Sequence, residues 1–474
     1  MSNFEYFLEN TAVMKNPLPY RLIASAIFIF SLFSAGAQEK PVWSLEDCVL
    51  YALENNIQVK QQELNTVAME NNLKQSKINM SPNLNGGFNH SFSRGRSLDQ
   101  STYTFQNQDI TSQSFNLMSN VSVFQGLQQL NTIKQNKYNL MASMKDVEEL
   151  KNDISLNIAL AYLQILLNKE LLEVAQNQLE ISQQQIERTS RLVQAGSLPE
   201  GNLLEIRAQT AREEIQVVNA QNQLDISYLT LTQILDLDST GGFEIEIPNL
   251  DSLINENYII PPVDVVYNDA VNILPQVKSA EWRLRSTEMD LKLAQGSRYP
   301  TISINGNYNT IFSSTRVKYT FDPGDPLNPI QEPYPYWDQL WDNRNWGIGL
   351  SVSVPIFNRW LTNTYVSNAR LNIEGYELEV KNTKNMLYKE IQQAYADAIA
   401  SMKRFRASES AVTSMEESFR YTEQKYNVGL VNSVDYNTSK NQLTQTQSEL
   451  LQAKYEFIFS INVIEFYRGL PIVL

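Results

Sequence analysis

The sequence predicts an α+β membrane protein in which one unit, made of β-strands and a long antiparallel coiled-coil α-hairpin, occurs twice. Three observations predict this fold class. Short motifs recur at fixed offsets, apolar residues recur at every seventh position of long segments, and four shorter segments alternate between apolar and polar residues. Gly and Pro are scarce among the 474 residues, with 17 of each, which suits long helices better than a compact globular domain.

The N-terminal residues carry the pattern of an export signal. The apolar run Leu22–Phe33 follows basic residues, and it is too short to span a bilayer as a transmembrane anchor, which is the alternative interpretation. Small residues, Ala35-Gly36-Ala37, then stand where a signal peptidase cuts. We therefore predict a signal peptide over residues 1–37, with Met14 as an alternative start of translation. Beyond it, no apolar stretch reaches the ~20 residues of a transmembrane helix.

Paired motifs indicate an internal duplication. Gln58-Val59-Lys60 returns in the second half of the chain as Gln276-Val277-Lys278, and Gly196 returns as Gly429. The offset between paired positions grows between the strands and then stays constant, so a rigid element of set length follows a loop that holds the extra residues. The predicted organisation is repeat 1 over residues 38–238, a linker over 239–262 that includes a short strand near Phe243–Ile247, and repeat 2 over 263–474.

Long segments with a seven-residue apolar period predict two coiled-coil hairpins. Residues 127–195 contain neither Gly nor Pro, and each hairpin is expected to turn at Gly196 or Gly429. A helix of this length is a rod of about 100 Å. The seam of repeat 1 comprises Ile158, Ile165, Leu172, Leu179, Ile186, Val193, Leu203, Thr210, Val217, Leu224 and Leu231. The seam of repeat 2 comprises Ile391, Ala398, Phe405, Val412, Phe419, Tyr426, Tyr436, Leu443, Leu450, Phe457 and Ile464. The seam alone leaves an ordinary coiled-coil stalk open.

Four alternating segments precede the hairpins and predict membrane-spanning strands. Their lengths suit the ~9–11 residues of a transmembrane strand. The segments are about 84–92, 115–124, 302–312 and 346–354. The predicted lipid-facing residues are Ile302, Ile304, Tyr308, Trp346, Ile348, Leu350 and Val352. Four strands cannot close a barrel, so two or three chains must share one; a soluble sandwich with one buried face is the alternative. Residues 93–113 and 321–345 are expected to be outward-facing loops.

Composition excludes several classes of function. The net charge of −14 argues against nucleic acid as a partner, because phosphate binding needs clustered Lys and Arg. The chain holds one cysteine, Cys48, expected to be buried in the first helix, and one histidine, His90, expected in a strand. These leave little from which to build a metal site or a catalytic triad. We therefore predict no catalytic, cofactor-binding or metal-binding residues, and hence no enzyme.

With these motifs in place, the chain from about Ser44 to Gly469 resembles the TolC-like outer membrane factor (outer membrane efflux protein) family. The resemblance rests on Ser44-Leu45-Glu46-Asp47-Cys48, on Val354-Pro355-Ile356-Phe357, and on Val428-Gly429-Leu430 with Asp435. One departure is Asn358-Arg359, where the family often has paired glycines. The resemblance implies a homotrimer with a twelve-stranded transmembrane β-barrel and a twelve-helix periplasmic tunnel, in the outer membrane of a Gram-negative bacterium.

The resemblance also implies how such a protein works. It would be a passive exit duct that docks onto a periplasmic membrane-fusion adaptor and, through it, onto an inner-membrane RND pump or an ABC transporter of type I secretion. A secreted or surface coiled-coil protein with a structural or adhesive role is the competing hypothesis. The transported substrate and the pump class stay open.

The hairpin tips are the predicted functional site. The residues expected to dock onto the adaptor are Gly196, Ser197, Leu198, Gly429, Leu430 and Val431. The candidates for the periplasmic aperture are Asp435, Glu205 and Asn202. Ser433 or Asp435 is expected to cap the returning helix through its side chain. In a trimer Asp435 recurs three times, and a carboxylate ring favours cations, so Asp435 is either a gate residue or only a cap.

Overall fold

The computed structural model describes residues 42–98, 103–238, 241–250 and 258–472. The predicted signal peptide, its cleavage site and the Met14 start lie outside the described residues. None of the described helices is both long enough and apolar enough to cross a membrane.

The first half consists of two short helices, two strands and two long helices, preceded by a two-residue strand. These elements are β1 (Val42–Trp43), α1 (Leu45–Asn55), α2 (Ile57–Ile78), β2 (Asn83–Leu98), β3 (Phe105–Gln125), α3 (Gln128–Gln194) and α4 (Glu200–Ile234). Helix α3 matches the predicted Gly- and Pro-free segment to within one residue at each end. Helix α1 begins with a capping box in which the Ser44 hydroxyl accepts from the Asp47 N–H, and Cys48 is fully buried on its inner face, as predicted.

The second half repeats this order and adds a hairpin and a short helix. Its elements are β4 (Glu244–Ile245), α5 (Val263–Ile273), α6 (Pro275–Gly296), β5 (Thr301–Ser313), β6 (Val317–Asp322), β7 (Asp325–Pro333), α7 (Tyr336–Asp342), β8 (Asn345–Ser353), α8 (Leu361–Asn427) and α9 (Ser433–Tyr467). The four main helices have the same lengths in both halves, which are 11, 22, 67 and 35 residues. Equal lengths account for the constant sequence offset between the two long hairpins.

The seven-residue seam forms the core of the helical part. Every predicted seam residue is buried or half-buried, and the most deeply buried of them lie away from the tips, as Ile158, Ile165, Ile391 and Ala398 show. Helices α3 and α4 pack along their length as one hairpin, and α8 and α9 pack as the other. Burial of this apolar stripe stabilises helices whose intrinsic propensity alone is modest.

Helix α8 begins with an unusual backbone. Arg359 and Trp360 adopt left-handed conformations, with φ of 52° and 67°. A residue with a Cβ atom pays roughly 1–2 kcal/mol for this conformation, which glycine adopts freely. In the first half the corresponding junction uses Gly126 and Leu127, with φ of 58° and 63°. The two junctions therefore share a left-handed backbone, although Arg359 and Trp360 stand in the second half where the first half has Gly126 and Leu127.

Four strands form one antiparallel sheet in the order β2-β3-β5-β8. The register pairs Ile302 with Val352, Ile304 with Leu350 and Tyr308 with Trp346, so side chains of the same character share a face. One face is apolar and carries Leu84, Phe88, Phe92, Phe115, Leu117, Val121, Ile302, Ile304, Tyr308, Phe312, Trp346, Ile348, Leu350 and Val352. Most of these side chains are exposed in the single chain. The opposite face carries mostly Asn, Ser and Gly.

A β-bulge corrects the phase of β3. The register passes from Ser122 paired with Ser303 to Phe124 paired with Ile302, which leaves Val123 as an extra residue. Strict alternation from Leu117 would place Phe124 on the polar face. The bulge instead aligns Phe124 with Ile302 on the apolar face.

The segments expected to be loops contain more regular structure than predicted. Strands β2 and β3 run on to Leu98 and from Phe105, so most of the predicted loop 93–113 is a polar two-stranded ribbon. Arg94 and Asp109 form a bidentate ion pair across it, with N–O distances of 2.6 and 2.7 Å. The predicted loop 321–345 likewise holds β7, α7 and the end of β6. Hydropathy misses such ribbons because backbone pairing holds them together and no apolar face marks them.

The segments before α1 and after α4 form a small parallel pair of strands, β1 and β4. Val42 pairs with Glu244 and Trp43 with Ile245, so the predicted strand near Phe243–Ile247 is shorter, at two residues. The Tyr162 hydroxyl of α3 donates to the carbonyl oxygens of Trp43 and Glu246, at 3.1 and 2.6 Å. Burial raises the pKa of this tyrosine. The hydroxyl therefore stays protonated and joins the two strands to the helical core.

Candidate functional site at the hairpin tips

The two hairpin turns have the same backbone geometry. Helix α3 ends in a turn in which Gly196 has a φ of 73° and Ser197 N–H donates to Leu192 O at 2.9 Å. Helix α8 ends in the same way, with Gly429 at a φ of 78° and Leu430 N–H donating to Lys425 O at 2.9 Å. This Schellman arrangement satisfies the last helical carbonyls. A Cβ atom at either glycine would meet no other atom within 4 Å, so the backbone conformation alone selects glycine.

Helix α9 is capped by a residue that sequence reasoning missed. The Asn432 side chain accepts from the Asp435 N–H at 2.9 Å, so the prediction that Ser433 or Asp435 supplies the cap is wrong. The physical reason is that the helix begins at Ser433, which makes Asn432 the last residue outside it. The Asp435 carboxylate is exposed in the first turn, where the helix dipole favours a negative charge. The capping alternative for Asp435 therefore falls away.

The two returning helices touch at the tips. Ser433 is buried, and its hydroxyl donates to Glu205 Oε2 of α4 at 2.5 Å. Glu205 therefore lies beside the first turn of α9, the same turn that carries Asp435. Asn202 is half-buried one turn earlier in α4, and its N–H donates to Pro199 O at 3.2 Å. The structure thus brings Glu205 to α9 and keeps Asn202 in the first turn of α4.

Exposed apolar side chains mark the outer surface of the second tip. Leu430 is 75% exposed, Val428 is 71% exposed and Val434 is 57% exposed. Val431 and Leu198 are half-buried, whereas Ser197 is exposed. A cluster of exposed apolar side chains at the end of a rod is typical of an interaction surface.

Aromatic residues stiffen the second tip from inside. Tyr436 is buried and stacks on Tyr426, with ring centroids 4.6 Å apart, and it also contacts Phe419 at 5.5 Å. Burial raises the pKa of Tyr436 to about 12. Arg188 of α3 donates to the Asn427 side chain across the two hairpins. The tips are therefore held together by packing and by hydrogen bonds between the hairpins.

Further along the returning helices, a buried ion pair joins the hairpins. Lys440 of α9 and Glu213 of α4 are each 2% exposed, and Lys440 Nζ lies 3.4 Å from Glu213 Oε1. The ammonium group also donates to Gln178 O at 2.9 Å and to Ser182 Oγ at 2.7 Å, both on α3. Gln209 Nε2 donates to the same Glu213 oxygen at 2.9 Å. Lys440 thus binds α9 to both helices of the other hairpin.

This ion pair is not among the sequence-based predictions, although the positions of the two residues relative to the seam carry a signal for it. Lys440 stands four residues after the seam residue Tyr436, and Glu213 stands three residues after Thr210. Spacings of three and four place residues on one helix face, so both charges are predicted to face inward. Their partnership joins opposite halves of the chain and is set by tertiary packing. Within the described parts of the chain, no group of three or more His, Cys, Asp or Glu is arranged to hold a metal ion.

Comparison with known proteins agrees with this architecture. The family model described as outer membrane efflux protein matches residues 50–236 and 266–460. Outer membrane protein TolC of Escherichia coli K12 is 24% identical over 311 residues, which cover 64% of this chain and 59% of TolC. Alkaline protease secretion protein AprF of Pseudomonas aeruginosa is 20% identical over 389 residues, covering 80% of this chain and 76% of AprF. The matched part thus spans less than two thirds of the length of TolC.

Solved structures share the fold at low sequence identity. A crystal structure of CusC superposes with a TM-score of 0.72 at 17% identity and covers 90% of this chain and 91% of CusC. The outer membrane protein VceC of Vibrio cholerae superposes with a TM-score of 0.67 at 16% identity, covering 89% of this chain and 95% of VceC. The family match extends over both halves of the chain. The chain therefore belongs to the outer membrane efflux protein family, as its resemblance to TolC-like proteins predicts, and it is an outer-membrane protein of a Gram-negative bacterium and not an enzyme.

Proposed function

We propose that the protein is one subunit of a passive exit duct for efflux or type I secretion. The observation that carries this proposal is the four-stranded sheet joined to two 67-residue helices. Its apolar face is exposed and its polar face carries Asn, Ser and Gly, which is the alternation of a strand between lipid and an aqueous lumen. A secreted coiled-coil adhesin gives no reason for such a sheet.

The number of strands supports a barrel shared between chains. Strands β2 and β8 are the two edges of the sheet in the described part of the chain, and unpaired edges are not stable in lipid. Pairing β8 of one subunit with β2 of the next satisfies both edges. Three subunits form a twelve-stranded barrel and, below it, a tunnel of twelve helices, which is the homotrimer that the family resemblance implies.

Fractionation and gel analysis test the assembly. We expect the protein in the outer-membrane fraction, as a trimer that survives on an unheated denaturing gel and dissociates on heating. Purified trimer should also conduct ions in planar bilayers. A soluble periplasmic monomer without channel activity would refute the proposal.

The tips are the proposed docking site for a periplasmic adaptor. The exposed Leu430 and Val428 support this role, since apolar side chains at the end of a solvated rod favour burial against a partner. Through the adaptor the duct would connect with an inner-membrane RND pump or an ABC transporter. Relatives named for toxin and drug export and for alkaline protease secretion support a role in export.

Substitution of the turn glycines tests docking separately from assembly. Leu in place of both Gly196 and Gly429 introduces side chains at positive φ on the docking surface, so we expect export to be lost while the trimer still assembles. Gly201→Leu is the matched control, because Gly201 lies in α4, outside the left-handed region, with open space around its Cβ position. Undiminished export by the double variant would count against tip docking.

The first turn of α9 is the proposed periplasmic aperture. The exposed Asp435 and the neighbouring Glu205 would recur three times in a trimer, with Asn202 nearby in α4, and rings of carboxylates favour cations. We expect Asp435→Ala to lower the cation selectivity of single channels or to increase leak through the closed state. Unchanged selectivity and unchanged leak would remove Asp435 from the aperture.

A further inference from the structure

The short helix α7 lies on the apolar side of the sheet, at the end far from the long helices. The Thr310 hydroxyl, on the same face as Phe115 and Tyr308, donates to Leu340 O at 2.6 Å. The Tyr336 ring contacts Phe312 with centroids 4.8 Å apart. Helix α7 therefore extends the face that carries the predicted lipid-facing residues.

Hydrogen bonds fix this helix beyond the end of β8. The last β5 residue paired with β8 is Asn309, so the next residues of β5 need other partners on that edge. Gln339, which is 1% exposed, accepts from Ser313 N–H at 3.0 Å, and Asn343 Nδ2 donates to Ile311 O at 2.7 Å. The Tyr336 hydroxyl donates to Gln113 Oε1 at 2.7 Å. These contacts fix the orientation of the helix on the sheet.

Its outer surface is divided into an aromatic side and an acidic side. Trp337 and Trp341 stand one turn apart, 77% and 65% exposed. Asp338 and Asp342 stand one turn apart on the adjacent side and are also exposed. Gln339 faces β5, whereas the aromatic and acidic pairs lie on exposed sides of the helix, where Asp342 Oδ2 accepts from the Tyr334 hydroxyl at 2.7 Å. Two large indole side chains therefore lie exposed on a helix that hydrogen bonds hold against the sheet.

We propose that α7 is an interfacial anchor whose Trp337 and Trp341 rings lie in the lipid headgroup region of the outer membrane. Tryptophan is the side chain best suited to this layer, because its ring is apolar and its N–H needs a polar partner. The helix continues the apolar face of the sheet, and its acidic side offers a surface for water. The inference rests on the proposed contact of that face with lipid.

A basic residue at the end of the helix fits the same partner. Arg344 is exposed, and its guanidinium lies over the Trp341 ring, while its Nε donates to Trp341 O at 2.6 Å. This cation–π stacking places a positive charge next to the indole that would enter the headgroup layer. Lipid headgroups carry phosphate, which an arginine at this depth pairs with.

Quenching of tryptophan fluorescence in vesicles tests the anchor. The trimer is reconstituted into phosphatidylcholine vesicles whose acyl chains carry bromine close to the headgroup, or it is exposed to aqueous iodide in unbrominated vesicles. The fluorescence of Trp337 and Trp341 is taken as the difference between the wild type and the variant with Phe at both positions. We expect brominated lipid to remove most of this difference fluorescence and iodide to remove little.

Two single variants serve as internal references. Trp282→Phe removes a ring that stacks on Tyr138 in the helical part, so its difference fluorescence should resist brominated lipid. Trp346→Phe reports on the sheet face itself. Quenching by iodide and not by lipid would place α7 in water, and quenching by neither would place it against a second copy of the chain. Either result overturns the anchor if Trp346 is quenched by lipid; an unquenched Trp346 would overturn the lipid-facing sheet as well.

Discussion

Replacement of Lys440 by Met is expected to weaken the attachment of α9 to the α3–α4 hairpin. Lys440 Nζ donates to Gln178 O and Ser182 Oγ and lies 3.4 Å from Glu213 Oε1, all in a buried site. The variant leaves the Glu213 carboxylate buried without its cation. In the described structure Glu213 Oε2 already lacks a hydrogen-bond partner, and Oε1 retains only the bond from Gln209.

The magnitude follows from the cost of an uncompensated buried charge. Removing one partner of a buried ion pair typically costs about 3–5 kcal/mol, whereas replacing both partners with apolar residues is often close to neutral. We therefore expect Lys440→Met to lower the free energy of unfolding by about 3 kcal/mol or more. The double variant Lys440→Met with Glu213→Leu should recover much of this loss.

Urea unfolding in detergent micelles, followed by the helical circular dichroism signal, measures the effect. Lys381→Met, at an exposed position of α8, is the matched control and should change stability by no more than about 0.5 kcal/mol. A loss of less than about 1 kcal/mol for Lys440→Met, the range of an exposed ion pair, would contradict a buried uncompensated charge. A double variant that loses the sum of the two single effects would show that the two charges are not coupled.

Lys440 is also expected to make the free energy of unfolding depend on pH. Burial lowers the pKa of Lys440, and the Glu213 carboxylate offsets part of that shift. Between the lowered pKa and the ordinary lysine pKa the unfolded chain binds the proton more tightly, so this residue's contribution makes stability rise with pH. Lys440→Met should abolish this contribution, which is read as the difference between the pH profiles of the variant and the wild type. Parallel profiles would contradict it.

Three further outcomes are expected. Leu350→Lys puts a charge on the apolar face at a cost of about 2–4 kcal/mol and should reduce the heat-labile trimer on unheated gels, whereas Ser351→Lys on the opposite face should spare it; equal yields would contradict the lipid-facing assignment. Burial, followed by the charge of Asp153, raises the pKa of Glu149, so the contribution of this residue to stability is present at acidic pH and lost as pH rises through that pKa. Glu149→Gln should therefore be more stable at pH 7 and should flatten the dependence of the melting temperature on pH, and an unchanged dependence would refute this. Burial raises the pKa of the Cys48 thiol to about 12, so maleimide at pH 8 should label it only after unfolding, and rapid labelling of the folded protein would contradict that burial.

Much of the helical part is predictable because its information is local and repeated. Within each long helix the seam residues recur every seven positions, and a helix brings such residues to one side whatever its partner is. The turns at Gly196 and Gly429 are predictable for a similar reason, since glycine adopts a positive φ without steric cost whatever surrounds it. The tip cap was not predictable to the residue, because adjacent polar residues around Asn432 all qualify as caps and the helix start decides between them.

The two hairpins, the alternating faces of the strands and the burial of Cys48 can be predicted locally, since they depend on periodicity and on the burial of apolar side chains. The contacts that join distant segments depend on how the chain packs. Three features form only when two distant segments pack together: the Lys440–Glu213 ion pair, the bulge at Val123 and the contact of α7 with β5. The periodicity of a segment does not indicate which polar groups will face each other across an interface, because the burial of a polar group is favourable only when a specific partner completes its hydrogen bonds.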